Sequence, residues 1–279
     1  MLSRAAGRAF VVGIAGPPGA GKSTIINCLI KEFRERNSKV GVVAVDPSSM
    51  ITGGALMGDR VRMLEHSLDK GVFIRSMASR GSLGGVSTAT RRTILVLDAA
   101  GYDYILVETV GVGQTELDIA KIADMTVVVM MPQMGDEVQA MKAGLIEIGD
   151  VFVINKAELE GADKAVLQLT LAVKEKDGWK PPIIRTTAHR CAGVKELTEA
   201  IERFRKHMTP ERKSQIRKLR TREEVLQALR KRIDDLIHER LDSAEVLDKV
   251  TEQVLAGRSD PQKAASELMK FLFGSVDEY

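Results

Sequence analysis

The sequence predicts an α/β fold: a doubly wound, mostly parallel sheet followed by a helical C-terminal extension. Between Ala9 and Ala188 come short apolar runs rich in Val and Ile: FVVGIA, VGVVAV, VFIR, YILVE, TVVVMM, VFVIN and PIIRTTA. Uninterrupted runs of that length suit strands buried on both faces. Segments with helical spacing separate most of them, such as Ile25, Leu29 and Phe33, or Val138, Met141, Leu145 and Ile148. Strands alternating with helices imply parallel pairing, and in such sheets ligands collect at the carboxyl ends of the strands. Beyond about Pro210 the strand-like runs stop, which divides the chain into residues 1–208 and a helical extension, 209–279.

The first strand leads into GIAGPPGAGKST. Here Gly16, Pro17, Pro18, Gly19, Ala20, Gly21, Lys22 and Ser23 match the phosphate-binding pattern G-x-x-x-x-G-K-[ST], placed between a strand and a helix as that pattern requires. The glycines let backbone N–H groups curl around phosphates, and the following helix, with Thr24 in its first turn, adds its dipole. Lys22 is then expected to reach the β and γ phosphates and the Ser23 hydroxyl to ligate Mg²⁺. The second strand ends at Asp46, and Asp59 follows in a glycine-rich loop. Each is placed to face the phosphates, and each also fits an ordinary turn residue. YILVETV carries Glu108 out of an apolar strand, where a carboxylate needs a cation or a hydrogen-bond donor, so Glu108 takes the position of a Walker B acid. Gln114, three residues after Gly111, is not spaced like the water-orienting glutamine of Ras-like GTPases.

After the sixth run stands Asn155-Lys156-Ala157-Glu158, one methylene away from the guanine-reading pattern Asn-Lys-x-Asp. A carboxylate there accepts from the ring N–H and exocyclic amine of guanine, and it is repelled by the acceptor that adenine presents at the same ring nitrogen. Glu158 keeps the charge and selects guanine if it faces the base; a solvated loop residue is the other reading. TTAHR, with Thr187 and Ala188, lies where such folds close over the base.

In the extension Leu219, Leu226 and Ile233 recur every seven residues, with Leu229 and Leu236 beside them, which predicts a long amphipathic helix. Shorter helices are expected around Ala244 to Leu255 and from Pro261. The stripe suits either an arm folded back on its own domain or a homodimer interface.

Composition narrows the partners. With 279 residues and 44% hydrophobic content the chain can bury a full core, and 41 basic against 38 acidic residues leave a net charge of +3. That balance gives no reason to expect nucleic acid or an anionic membrane as partner. No apolar run approaches the roughly 18 residues of a membrane span. The N-terminal MLSRAAGRAF runs into a strand almost at once, leaving little room for a cleavable presequence. Cys28 and Cys191 lie far apart without C-x-x-C spacing, so they are expected to be unpaired packing or surface thiols of a cytoplasmic protein.

Taken in order, the phosphate loop, VDPSS, GGALMGDR, RGSLGGV, ILVETVGVGQTE, GDEVQAMKAG and NKAE resemble the GTPase chaperones of adenosylcobalamin-dependent acyl-CoA mutases. That family includes the methylmalonyl-CoA mutase-associated G proteins, and its members are also labelled arginine/ornithine transport ATPases. The resemblance covers about residues 9–205. It implies a homodimeric GTPase of the metallochaperone group that binds a mutase and uses GTP to gate cobalamin delivery. It places the Mg²⁺-linked carboxylates on Asp46, Asp59 and Glu108. It also implies that Gln139 and Lys142, in PQMGDEVQAMK, enter the nucleotide site when the mutase docks; a solvated helix face accounts for this pair equally well. The chain departs from the family in its guanine loop, which ends in Glu158 instead of the usual Asp, and in a first strand expected almost immediately, where family members commonly carry a helical N-terminal extension. Rival readings are a nickel-insertion GTPase, which calls for His or Cys clusters, an ATP-using kinase or transport-associated ATPase, and a non-catalytic dimerising scaffold.

Overall fold

The computed structural model describes residues 8–46, 65–78, 88–109, 115–132, 144–241 and 246–273. Seven strands form one parallel sheet: β1 (Phe10–Ala15), β2 (Val40–Asp46), β3 (Val72–Ala78), β4 (Tyr104–Thr109), β5 (Met125–Met130), β6 (Val151–Asn155) and β7 (Ile183–Thr186), in the order β3-β2-β4-β1-β5-β6-β7. Each of the seven predicted runs supplies one strand. The central β1, β4, β5 and β6 are buried along their whole length, as their uninterrupted apolar sequences require.

Helices cover both faces. On one side α1 (Lys22–Glu35) and α5 (Val194–His207) set Ile25, Leu29, Phe33, Leu197, Ile201 and Phe204 against Val12, Ile14, Val42 and Leu106. On the other side α2 (Thr88–Ala99), α3 (Thr115–Ala120) and α4 (Ala162–Ala172) bring Ile94, Leu97, Ile119 and Leu169 against Val11, Val43, Ile105 and Val128. The period-2 alternation of each strand thus feeds both layers. Gly13 and Gly41 let the second layer come close: a Cβ at either would sit 2.9 Å from a side-chain carbon of Ile119 or Leu97.

The chain divides into two compact units, Met1–Arg220 and Thr221–Tyr279. The division falls inside α6 (Pro210–Leu241), the predicted long helix; α7 (Val246–Leu255) and α8 (Pro261–Phe273) follow it. Within the second unit an Arg240 guanidinium nitrogen donates to the Leu272 carbonyl at 3.0 Å. Among the described residues no helix is long and apolar enough to cross a membrane.

Candidate nucleotide site

Parallel winding puts the ends of β1, β2, β4, β6 and β7 at one edge of the sheet, and among the described residues the Gly16–Ser23 loop, Glu108 and the Asn155–Glu158 turn follow or end those strands. Register places Glu108 beside Ile14 on one side and Ala44 on the other, so its carboxylate leaves the sheet next to the loop that follows β1.

That loop owes its shape to positions that exclude a side chain. Gly16 has φ 140°, and a Cβ on it would lie 2.1 Å from the Val129 carbonyl oxygen of β5. Gly21 has φ 91°, and a Cβ there would meet the Asn155 amide nitrogen at 2.2 Å. Lys22 is buried, and its ammonium donates to the carbonyls of Gly16 (2.7 Å) and Pro17 (2.9 Å), tying the helix start to the loop. The first-turn N–H groups of α1, on Lys22, Ser23 and Thr24, precede any i−4 carbonyl of the helix and are suited to an anion. Pro18 and Gly19 are exposed at the loop's tip, whereas Ala20 is fully buried.

The Ser23 hydroxyl donates to Glu108 Oε1 at 2.7 Å, and both residues are buried. A serine oxygen and a carboxylate oxygen so placed form a hard, all-oxygen donor set whose chemistry fits Mg²⁺. Asp46 closes β2 at the same edge of the sheet. Asp59, Gln139 and Lys142, and likewise Gln114, lie outside the described residues.

Asn155 joins the two halves of the site. It is 2% exposed and uses three hydrogen bonds. Its amide nitrogen donates to the Ala20 carbonyl at 2.7 Å, and its oxygen accepts from the Thr186 hydroxyl and the Ala188 N–H, each at 3.0 Å. The phosphate loop and the loop after β7 are thereby fixed to a single side chain. Lys156 follows with φ 56°, a left-handed turn that redirects the chain. Glu158 Oε2 then accepts from the Thr187 hydroxyl at 2.8 Å, and its Oε1 lies 3.6 Å from His189 Nδ1. Its own backbone N–H, and after it the Thr187 hydroxyl, hold the Glu158 carboxyl below its ordinary value, so it is ionised at neutral pH.

Lys22, Ser23, Glu108, Asn155, Thr187 and Ala188 therefore converge from distant parts of the sequence. Thr186 and His189 join them: the Thr186 hydroxyl donates to Asn155 and His189 flanks Glu158, and although TTAHR contains both, nothing local in the sequence marks their targets.

One expectation is corrected. Cys28 and Cys191 are not unpaired thiols: they form a disulfide, with Cα atoms 5.6 Å apart across a separation of 163 residues. Spacing gave no hint of it because the sheet order, with β1 and β7 in one layer, carries α1 alongside the loop after β7. The pair therefore no longer supports the inference of a cytoplasmic location.

Comparison with known proteins gives the same picture as the geometry. A Pyrococcus horikoshii protein named as a GTPase is 50% identical over 276 residues, covering 96% of this chain and 86% of that one. The mouse mitochondrial methylmalonic aciduria type A homolog is 41% identical over 206 residues, 71% of this chain and 50% of its own length. The crystal structure of an LAO/AO transport system kinase superposes with a TM-score of 0.67 at 25% identity, covering 97% of this chain and 84% of that one. The family profile described as "Methylmalonyl Co-A mutase-associated GTPase MeaB" matches residues 1–245. With that match spanning the phosphate loop, the Ser23–Glu108 pair and the Asn155 bridge, the chain belongs to the MeaB family of methylmalonyl-CoA mutase-associated GTPases.

Proposed function

We propose that this GTPase is a metallochaperone that binds an adenosylcobalamin-dependent acyl-CoA mutase and gates the loading and exchange of its cobalamin. The observation that carries the reading is the Asn155 bridge, which couples a phosphate loop to a base loop bearing an ionised Glu158. The family description supplies the mutase as partner.

In this reading GTP lies with its phosphates in the Gly16–Ser23 loop and its base against Asn155, Lys156, Glu158, Thr187 and Ala188. Lys22 neutralises charge on the β and γ phosphates, and the Gly16 and Pro17 carbonyls hold its ammonium in place for that work. Ser23, Glu108, Asp46 and Asp59 are the residues that would hold Mg²⁺, which supplies charge neutralisation on the phosphate oxygens. Phosphoryl transfer to water depends mainly on positioning and charge, so the chain alone turns over slowly, and the mutase completes the site by bringing in Gln139 and Lys142. The apolar stripe of α6 serves a homodimer interface, and the protein works in the cytoplasm without nucleic acid or membrane as partner.

The test has two arms. A pull-down with purified methylmalonyl-CoA mutase should retain this chain and accelerate its phosphate release; no retention in either the GDP or the GTP state overturns the chaperone reading. Competition against a fluorescent GDP analogue should favour GTP over ATP, and Glu158→Gln should narrow that preference by about tenfold or more. Equal displacement by ATP overturns the guanine reading.

A further inference from the structure

The Cys28–Cys191 bond joins α1 to the loop after β7, the two elements that carry the ends of the candidate nucleotide site, and none of the roles assigned above uses it. Cys28 sits on α1, six residues beyond Lys22, and is 2% exposed, whereas Cys191 is exposed at the end of the base loop. That loop is short and closed on itself: the Thr187 N–H donates to the Ala192 carbonyl at 3.0 Å, and the Cys191 N–H donates to the Ala188 carbonyl at 3.0 Å. Ala188 donates its N–H to Asn155, and its carbonyl oxygen lies 3.3 Å from Cys28 Sγ, a packing contact while the sulfur is in the disulfide. Thr187 and His189, its immediate neighbours, are the residues that flank the Glu158 carboxylate. The disulfide thus fastens the loop that positions Glu158 to the helix that carries the phosphate-binding residues.

We propose that Cys28–Cys191 is a thiol–disulfide exchange site for a small or protein dithiol, and that its redox state sets how long the protein retains guanine nucleotide. A thiolate of the dithiol attacks the sulfur of Cys191, the exposed residue of the pair, forming a mixed disulfide and expelling Cys28 as a thiolate that takes up a proton. The second thiol of the reductant then closes its own disulfide and releases Cys191. Two electrons and two protons pass to the protein, and the dithiol is oxidised. After reduction the base loop keeps the Asn155 and Glu158 hydrogen bonds and the packing of buried Ala188, and the Cys28 thiol becomes a weak donor for the Ala188 carbonyl, so the loop loosens without detaching. If the ordered loop falls to about a third of the population, apparent nucleotide affinity falls about threefold, expressed as faster release. This rests on the guanine reading above.

The experiment uses the full chain loaded with mant-GDP, with release followed by stopped flow after oxidation and again after dithiothreitol. Release should quicken about threefold on reduction. Cys191→Ser should release at the fast rate in both conditions, and alkylation with mass spectrometry should find two reactive thiols only after reduction. Equal release rates in the two states of the unmodified chain, or two thiols alkylated without reductant, overturn the proposal; the first comparison needs no variant to fold. Uptake of mant-GDP with equal release rates defeats the exchange site alone, whereas no uptake in either state defeats the guanine reading with it.

Discussion

β1 and α6 both carry regularly placed aliphatic residues, yet the fold treats them differently. All six residues of β1 are buried, with Val12, Ile14 and Ala15 at 0% exposure. Along the 32 residues of α6, Leu219, Val225 and Leu229 stand 65%, 62% and 53% exposed. The strand is sealed by its neighbours in the sheet and by a helix on each face, all supplied by the same unit. The helix presents these apolar side chains to solvent, while Ile233 and Leu236 are half-buried and Leu241 is buried, the pattern of a partly covered face that suits an apolar partner. The candidate nucleotide-site residues thus lie in the unit whose sheet closes its own core, and the proposed assembly surface lies on the helix that leads out of it.

The largest test of that contrast is Lys22→Ala. Lys22 donates to two loop carbonyls and, in the proposed role, neutralises phosphate charge, so GTP hydrolysis measured by phosphate release should drop by about 10²–10³-fold. A loss confined to a few fold would mean that the sheet edge is not the catalytic region. Asn155→Ala comes next. It strips partners from the buried Ala20 carbonyl, Thr186 hydroxyl and Ala188 N–H, so urea unfolding should report about 1–3 kcal/mol less stability, with weaker GDP binding alongside.

A third test uses pH. Asp150 lies just before β6; burial pushes its carboxyl from 3.8 up to about 6, although the Thr126 N–H, at 2.8 Å, pulls the other way. Because the folded value lies above the unfolded one, the protein favours the protonated acid. The penalty is absent below about pH 4, grows as pH rises between the two values, and is complete above about pH 6. Relative to Asp150→Asn, the unmodified chain should gain on the order of 2 kcal/mol on going from pH 7 to pH 4. A flat difference between the two across that range would show that the site is better solvated than its geometry indicates.

The smallest expected effect on stability is in α6. Leu229→Glu should alter unfolding free energy by no more than about 0.5 kcal/mol and leave mant-GDP binding unchanged, while sedimentation shows loss of self-association. A large loss of stability would instead mean that this stripe is part of the folding core.

The seven strands were readable because a strand buried on both faces must be apolar throughout, a requirement met within five or six residues of local sequence. The phosphate loop was readable for a similar reason: its glycines, lysine and serine act on one ligand from one contiguous turn. Glu108 was recognised as an acid leaving an apolar strand, but its partner was not, since nothing near YILVE points to Ser23. Asn155 was expected to support a base, whereas its structural work is to bind Ala20 and Ala188, which lie 135 residues upstream and 33 downstream.

By itself the sequence determined the α/β class, the strands, the phosphate cradle and the long C-terminal helix, because each depends on periodicity or spacing within one segment. Tertiary structure alone decided the strand order, the Ser23–Glu108 contact, the Asn155 bridge and the Cys28–Cys191 bond. Hydrogen bonds and disulfides act over a few ångströms, and only the winding of the sheet brings residues 85, 135 and 163 positions apart within that reach.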